Sequence, residues 1–321
     1  MRISVAMCTY NGSRFLDEQL SSIHKQLRQP DELVVCDDCS SDDTVQKLQM
    51  FARSAGFPVK IVRNETNLGS TRNFEKAISL CDGEIIALSD QDDVWSENRL
   101  LETENAFAAN PRTGLVFADG DIIDANSAPI NLRLWQCANF TAAEQSQFIC
   151  GDATEVLLKH SVATGATLAF RSEFRPVILP IPEIWVQDGW IALIVSFFAN
   201  LVPINQPLVR YRQHAQQQIG AANPDFLHQI GLAKMVTRAE FMLRAKQFEF
   251  ARDRLLQRAT SERHKKLAGR IAGLIAHMFA RGNMPTRRLR RLSLIFRELA
   301  TRRYSMYSRG LLSATRDLVV R

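Results

Sequence analysis

A chain of 321 residues, 46% apolar and 23% charged, has room for one large α/β domain plus an appendage and has the composition of an ordinary globular protein. No run approaches the roughly 18 consecutive apolar residues of a spanning helix, and the opening segment turns polar at Thr9, too early for a secretory signal, so a cytoplasmic location is expected. The net charge of +6 conceals two regions of opposite sign: residues 225–321 carry 22 Lys and Arg against 7 Asp and Glu, a surplus of +15, while the first 224 are net −9, which predicts an acidic body and a basic tail with separate jobs.

In chain order, residues 3–7 are predicted as a buried strand ending at the turn Tyr10-Asn11-Gly12. Ser13 is placed to cap a helix through about residue 27, with Phe15, Leu16, Leu20, Ile23 and Leu27 on one face. Strands follow at 32–36, 59–62 and 84–88, separated by helices that begin near Asp42 or Asp43 and over 69–80. Alternation of this kind predicts a mostly parallel sheet with helices on both faces, whose ligands sit beyond the carboxyl ends of the strands. The loops 10–12, 37–43 and 89–95 are then the ones that matter. A helix over 97–109 is expected next, then short strands at 114–118 and 121–124 and helix over 137–160. The series closes with a strand at 167–170, an apolar helix over 189–199, and strands at 201–204 and 208–211. Beyond Asn223-Pro224 a basic helix is expected over 226–280, broken at Gly282-Asn283-Met284-Pro285 and resumed over 287–299. The division predicted is 1–222 for the catalytic domain and 223–321 for the basic helical region.

Asp90-Gln91-Asp92-Asp93 directly follows a hydrophobic strand. Packed carboxylates repel one another and call for a cation; a hard divalent ion, Mg²⁺ or Mn²⁺, matches oxygen ligands and can bridge to phosphates. A solvated acidic turn ahead of a helix is the alternative. Asp37 and Asp38 follow another strand, where a carboxylate can accept from base N–H or ribose hydroxyl groups, while Ser41, Asp42 and Asp43 suit helix capping. Tyr10, among small polar neighbours, can stack on a base. Cys36-Asp37-Asp38-Cys39 is formally C-x-x-C, but carboxylates between the thiols oppose redox activity, and no second ligand pair supports zinc.

Thr9-Tyr10-Asn11-Gly12, Asp37-Asp38-Cys39-Ser40-Ser41-Asp42, Asn67-Leu68-Gly69 and Asp90-Gln91-Asp92-Asp93-Val94-Trp95, in this order and spacing, resemble the family 2 glycosyltransferases of the GT-A fold over roughly residues 1–220. The resemblance implies inverting transfer from a nucleotide-diphosphate sugar. It implies that Thr9, Tyr10, Asn11, Asp38, Asn67, Gly69 and Asp90 serve the nucleotide, with Asp92 and Asp93 on metal and diphosphate. In the family a carboxylate at a helix start after the acceptor-side loop is the general base, and Asp188 in Trp185-Val186-Gln187-Asp188-Gly189-Trp190 matches that position. Ala163 to Phe170 and Pro207 to His214 are similar to the bacterial rhamnosyltransferase-like branch, so a dTDP- or UDP-sugar donor is implied. Arg212 is then expected on the diphosphate and His214 on the metal or a phosphate; the run after His214, Ala215-Gln216-Gln217-Gln218, departs from the branch pattern.

Acceptors of the family are often glycans or lipid-linked glycans of cell-surface polysaccharide, lipopolysaccharide among them. A tail with Arg and Lys beside Leu, Ile and Phe suits peripheral attachment to an anionic inner-membrane surface as well as packing on the catalytic domain. Nucleic acid is not expected as a partner, since the tail carries no recognisable module. Two rival readings remain: an inactive nucleotide-sugar-binding scaffold at the membrane, and a nucleotidyltransferase, which would bring a Gly-rich phosphate loop that Tyr10-Asn11-Gly12-Ser13 is not.

Overall fold

The computed structural model describes residues 1–215, 237–308 and 310–319. The chain divides into two compact units, Met1–Leu157 with Ser161–Ala222, and Leu158–His160 with Asn223–Arg321.

The first unit opens with β1 (Ile3–Thr9), every residue of which is buried. Helix α1 (Ser13–His24) buries Phe15, Leu16, Leu20 and Ile23 along one stripe. It ends before the predicted Leu27, which is 68% exposed, and its N-cap is Gly12 without a side-chain bond rather than Ser13. The backbone N–H of Ser13 instead donates to Asp42 Oδ2 at 3.1 Å. Then come β2 (Glu32–Asp37), α2 (Thr44–Ala52), β3 (Val59–Arg63), α3 (Ser70–Ser79) and β4 (Ile85–Ser89). These four strands pair in parallel in the order β3-β2-β1-β4. Thr9 lies opposite Asp37 and Met7 opposite Ser89. That register brings the loops after β1, β2 and β4 to a single sheet edge, where the alternation rule places ligands.

The remaining half of the unit is mixed. Two-residue β5 (Val94–Trp95) leads into α4 (Arg99–Ala109), and β6 (Thr113–Ile123) runs unbroken where two short strands are expected. β7 (Pro129–Arg133) is followed by α5 (Leu134–Cys137), α6 (Ala142–Ile149) and α7 (Ala153–Leu157). The single helix expected over 137–160 is therefore divided. Thr141 forms a capping box with Glu144 and starts a fresh helix there. After β8 (Leu168–Arg171), α8 (Arg175–Ile178) and α9 (Gln187–Ser196), the chain ends its sheet with β9 (Asn200–Arg212), again one strand where two are expected. The sheet continues from β4 as β8-β6-β9-β5, with β6 and β9 parallel, and the β4–β8, β8–β6 and β9–β5 pairs antiparallel.

The second unit is helical: α10 (Arg238–Gln257), α11 (Glu262–Gly282), α12 (Arg288–Ala300), α13 (Arg303–Tyr307) and α14 (Leu311–Val319). The first eleven residues of the helix expected over 226–280 lie outside the described residues, and the rest is two helices. Thr237 and Ser261 cap them through bonds from Glu240 N and His264 N. The basic residues are not all solvated. Arg281 grips Asp317 with both Nε (2.6 Å) and Nη2 (3.0 Å), and Arg291 is 1% exposed with its guanidinium on backbone carbonyls of Pro285, Thr286 and Asp317. His277 is buried between Glu298 (2.8 Å) and Ser308 (2.9 Å). Among the described residues no helix is long and apolar enough to cross a membrane.

Candidate active site

The three loops at the carboxyl edge of β1, β2 and β4 meet the start of α9 and the end of β9 around a cavity of about 220 Å³. Thr9, Tyr10, Asp38, Asn67, Asp90, Asp92, Asp188 and His214 all line it. Asn11, Gly69, Asp93 and Arg212 do not, and each has another task.

The first loop is held in part by Gln91, to which the sequence assigned no role. Gln91 accepts from Tyr10 N at 2.8 Å and donates to Tyr10 O at 3.1 Å. Tyr10 is thereby fixed by its backbone while its side chain remains exposed at the mouth. A Cβ on Gly12 would fall 2.1 Å from Gln91 Oε1, so only glycine admits this clamp. Asn11, at φ 46°, takes the left-handed conformation that asparagine tolerates. Its N–H donates to Ser40 Oγ (2.9 Å) and its Oδ1 accepts from Ser41 N (2.8 Å), which ties the first loop to the second.

The second loop explains its own carboxylates. Asp37 is fully buried and accepts from Thr9 Oγ1, Ser40 N and Ser40 Oγ. Asp38 accepts from Asn64 Nδ2 (2.7 Å), Leu68 N (2.8 Å) and Gly69 N (2.9 Å). Gly69, at φ 80°, turns its N–H inward to make this bond. Three donors leave about one of the four carboxylate lone-pair sites for a ligand, so Asp38 organises the 64–69 loop as well as lining the cavity.

The third loop carries most of the charge. Asp90 is pushed up to about 7, first by burial, then by the Asp92 and Asp188 carboxylates, against the pull of Arg99. Asp93 is driven well above the usual carboxylate range by burial and by Asp92 and Asp90. Its Oδ1 accepts from Arg212 N (2.9 Å), but Oδ2 has no partner among the described residues. Asp93, expected on the metal, does not line the cavity. Asp93 is fully buried behind the wall, and Asp90 and Asp92 face the cavity. Behind them lies Arg99, unnoticed in the sequence because it reads as an ordinary helix residue. Its guanidinium is 3.5 Å over the Trp95 ring and donates to Leu88 O (2.9 Å). Burial lowers it to about 9, with Asp93 and Asp90 acting against that.

Arg212, expected on the diphosphate, does not line the cavity either. It is buried and turned away from the cavity, with Nε on Asp92 O (2.6 Å), Nη1 on Ser127 Oγ (2.8 Å) and Nη2 on Glu18 Oε2 (2.6 Å), its guanidinium 4.7 Å from the Phe15 ring centroid. Strand alternation is the signal that finds this: Tyr211 lines the cavity, so its neighbour Arg212 points to the opposite face. The chain leaves the strand after Arg212, and His214 returns to the cavity with Nε2 2.8 Å from Asp92 Oδ2.

Asp188 lies in the first turn of α9, with Val186 as N-cap. Its Oδ2 accepts from Gly165 N (3.0 Å) and its Oδ1 from Gly189 N (2.6 Å). Burial nonetheless raises it above the ordinary Asp value, with those N–H groups acting the other way. The Gly165 loop therefore aims the carboxylate, and Asp188 remains one of the groups exposed to the cavity.

Asp90, Asp92 and His214 all line the cavity, and the carboxylate oxygens are of the kind a hard divalent cation takes. Asp90 is raised first by burial and then by the Asp92 and Asp188 carboxylates, and a cation would relieve the second of these. Among the described residues no three His, Cys, Asp or Glu side chains form a group that could hold a metal ion by itself.

Comparison with known proteins gives this geometry a context. Residues 4–154 match the family model "Glycosyl transferase family 2". An uncharacterized glycosyltransferase of Haemophilus influenzae is 32% identical over 224 residues, covering 69% of this chain and 68% of that protein. UDP-Glc:alpha-D-GlcNAc-diphosphoundecaprenol beta-1,3-glucosyltransferase WfgD of Escherichia coli is 32% identical over 125 residues, 39% of this chain and about half (48%) of that protein. Among solved structures, S. aureus TarS 1–349 in complex with UDP-GlcNAc superposes with a TM-score of 0.57 at 19% identity, covering 92% of this chain and 76% of that one. The mannosyltransferase of Pyrobaculum calidifontis in complex with GDP-Man and Mn²⁺ gives 0.54 at 14% identity over 98% of this chain and 84% of that one. At these identities the two structures speak to the fold, which is the GT-A type expected.

Proposed function

The chain belongs to glycosyl transferase family 2, and from that premise we propose that it moves one sugar, with inversion, from a nucleotide-diphosphate sugar to a hydroxyl of a glycan or lipid-linked acceptor in cell-surface polysaccharide synthesis. One observation carries the reading: Tyr10, Asp90, Asp92, His214 and Asp188, drawn from four separate stretches of chain, face one cavity at the carboxyl edge of the parallel strands. The similarity of WfgD, named for a diphosphoundecaprenol acceptor, supports the acceptor class, and the ligands of the two structural neighbours support a nucleotide-sugar donor.

In this reading Tyr10 receives the base and the Asn67 side of the cavity the ribose, with the spare lone pair of Asp38 turned to a hydroxyl. Asp90, Asp92 and His214 would hold Mg²⁺ or Mn²⁺, which when bound supplies positive charge to the leaving diphosphate. Asp188 accepts the proton of the acceptor hydroxyl as its oxygen bonds to the anomeric carbon. The bond from that carbon to the phosphate oxygen breaks on the opposite face, and the nucleoside diphosphate leaves with the electron pair. The Gly165 and Gly189 N–H groups hold the Asp188 carboxylate in place while it waits for that proton.

The test is thermal stabilisation of the purified chain by UDP, GDP and dTDP and their sugars, dTDP-rhamnose among them, with and without Mn²⁺. A ligand at a hundred times its Kd stabilises by about 2.7 kcal/mol. A metal-dependent shift with one base identifies the donor. No shift with any nucleotide, metal present, sinks the proposal.

A further inference from the structure

Helix α12 (Arg288–Ala300) turns two unlike faces to two unlike surroundings. One face is pinned into the helical unit by Arg291, Ile295 and Glu298, at 1%, 7% and 0% exposure. On the other, Leu289, Leu292 and Phe296, spaced i, i+3 and i+7, are 82%, 47% and 74% exposed. A helix that merely packs puts its large apolar residues inward. This one places an Arg and a Glu beside Ile295 on its inward face and leaves Leu, Leu and Phe outside.

The flanks of that stripe are cationic. By helical spacing Arg288 lies on one side of it and Arg290 and Arg297 on the other, and Arg287 and Arg302 border its two ends. All five are exposed. An apolar stripe between rows of arginine matches an interfacial helix, whose apolar side chains enter the acyl boundary while the guanidiniums meet phosphate headgroups. A two-fold pairing of this face with a second copy is disfavoured, because it would set the arginine rows against each other. A nucleic acid would use the arginines but leave Leu289 and Phe296 without a partner.

We propose that the exposed face of α12 docks on an anionic lipid bilayer through Leu289, Leu292 and Phe296, with Arg287, Arg288, Arg290, Arg297 and Arg302 engaging the headgroups. This gives the membrane expectation raised by the basic tail a defined surface, and it stands without the glycosyl-transfer reading, since binding to lipid needs neither donor nor acceptor.

The experiment is co-sedimentation of the full chain with phosphatidylcholine vesicles, with and without about 30 mol% phosphatidylglycerol. Wild type is expected to partition onto the anionic vesicles and to leave them as salt rises. Leu289→Gln with Phe296→Gln is expected to weaken partitioning on the order of tenfold, and Arg288→Gln with Arg290→Gln to weaken it comparably on anionic vesicles only. The replaced side chains are exposed, so melting temperature should hold, and this is checked on each variant. Failure of wild type to bind anionic vesicles overturns the proposal. So does full binding by the Leu289/Phe296 variant, which would leave a simple polyanion site. A dimer of wild type that becomes monomeric in the Leu289/Phe296 variant overturns it in favour of self-association.

Discussion

Nε2 of His214 lies 2.8 Å from Oδ2 of Asp92, across a gap of 122 positions in the chain. The pair joins the strand-end carboxylates to the segment that follows β9, and Phe15 supports the imidazole at a centroid distance of 4.8 Å. If the two groups share a divalent ion, Asp92→Ala and His214→Ala should each lose the metal-dependent part of nucleotide binding, by about 10- to 100-fold in apparent metal affinity. Titrating Mn²⁺ at fixed nucleotide and reading melting temperature decides it. A curve like that of wild type in either variant removes that residue from the metal shell.

Asp188→Asn should retain nucleotide binding and lose turnover by about a thousandfold, the usual scale for a general base. The pH profile adds a second check. The base must be ionised, and burial raises Asp188 above the ordinary Asp value. Wild-type rate should therefore fall, as pH is lowered, along a limb that lies above the ordinary carboxylate range. Wild-type kinetics in the variant would send the search for a base elsewhere in the cavity.

In protein freed of divalent ions, Asp90 holds its proton up to about 7, while in the unfolded chain it releases it near 4. The folded state then binds more protons between those values, so stability declines as pH rises through that window. Asp90→Asn removes the effect. Calorimetry with chelator present should find the variant more stable than wild type at pH 8 by about 2 kcal/mol, a figure reduced for partial solvent screening. The difference should vanish near pH 4. Parallel melting curves across the range would mean that Asp90 is not held near the other carboxylates in solution.

Gly12→Ala places a methyl group where Gln91 Oε1 now sits. Gly12→Ala and Gln91→Ala should each weaken nucleotide binding by roughly tenfold, the worth of a lost pair of backbone hydrogen bonds. The double variant should be little worse than either single, because both disrupt one clamp. Additive losses, measured by calorimetric titration, would show that the residues act independently.

Strands β1 to β4 and their loops were legible because a buried parallel strand writes itself as a short apolar run closed by polar residues. The paired aspartates were legible for the same reason, but their division of labour was not. Asp37 and Asp93 read like their neighbours Asp38 and Asp92, and only tertiary hydrogen bonds separate the buried scaffold carboxylates from those that face the cavity. The breaks at Thr141, Thr237 and Ser261 carried local signals, two of them complete capping boxes, that apolar periodicity outweighed. Arg99 carried none. A cation buried beside two aspartates, Asp90 and Asp93, is indistinguishable, residue by residue, from one on a solvated helix face.

The late position of β9 bears on how the chain is made. β9 seals the long edge of β6 and is the strand that β5 pairs with. A nascent chain halted before residue 200 already contains Tyr10, Asp90 and Asp92, yet it lacks Tyr211 and His214 and leaves β6, with Leu115 and Phe117, open along one side. Such an edge is a template for pairing with another chain, and its natural partner arrives about eighty residues later in sequence. Between synthesis of β6 and of β9 that edge is therefore exposed, and truncations that stop short of β9 should collect in aggregates rather than as a soluble, trimmed fold.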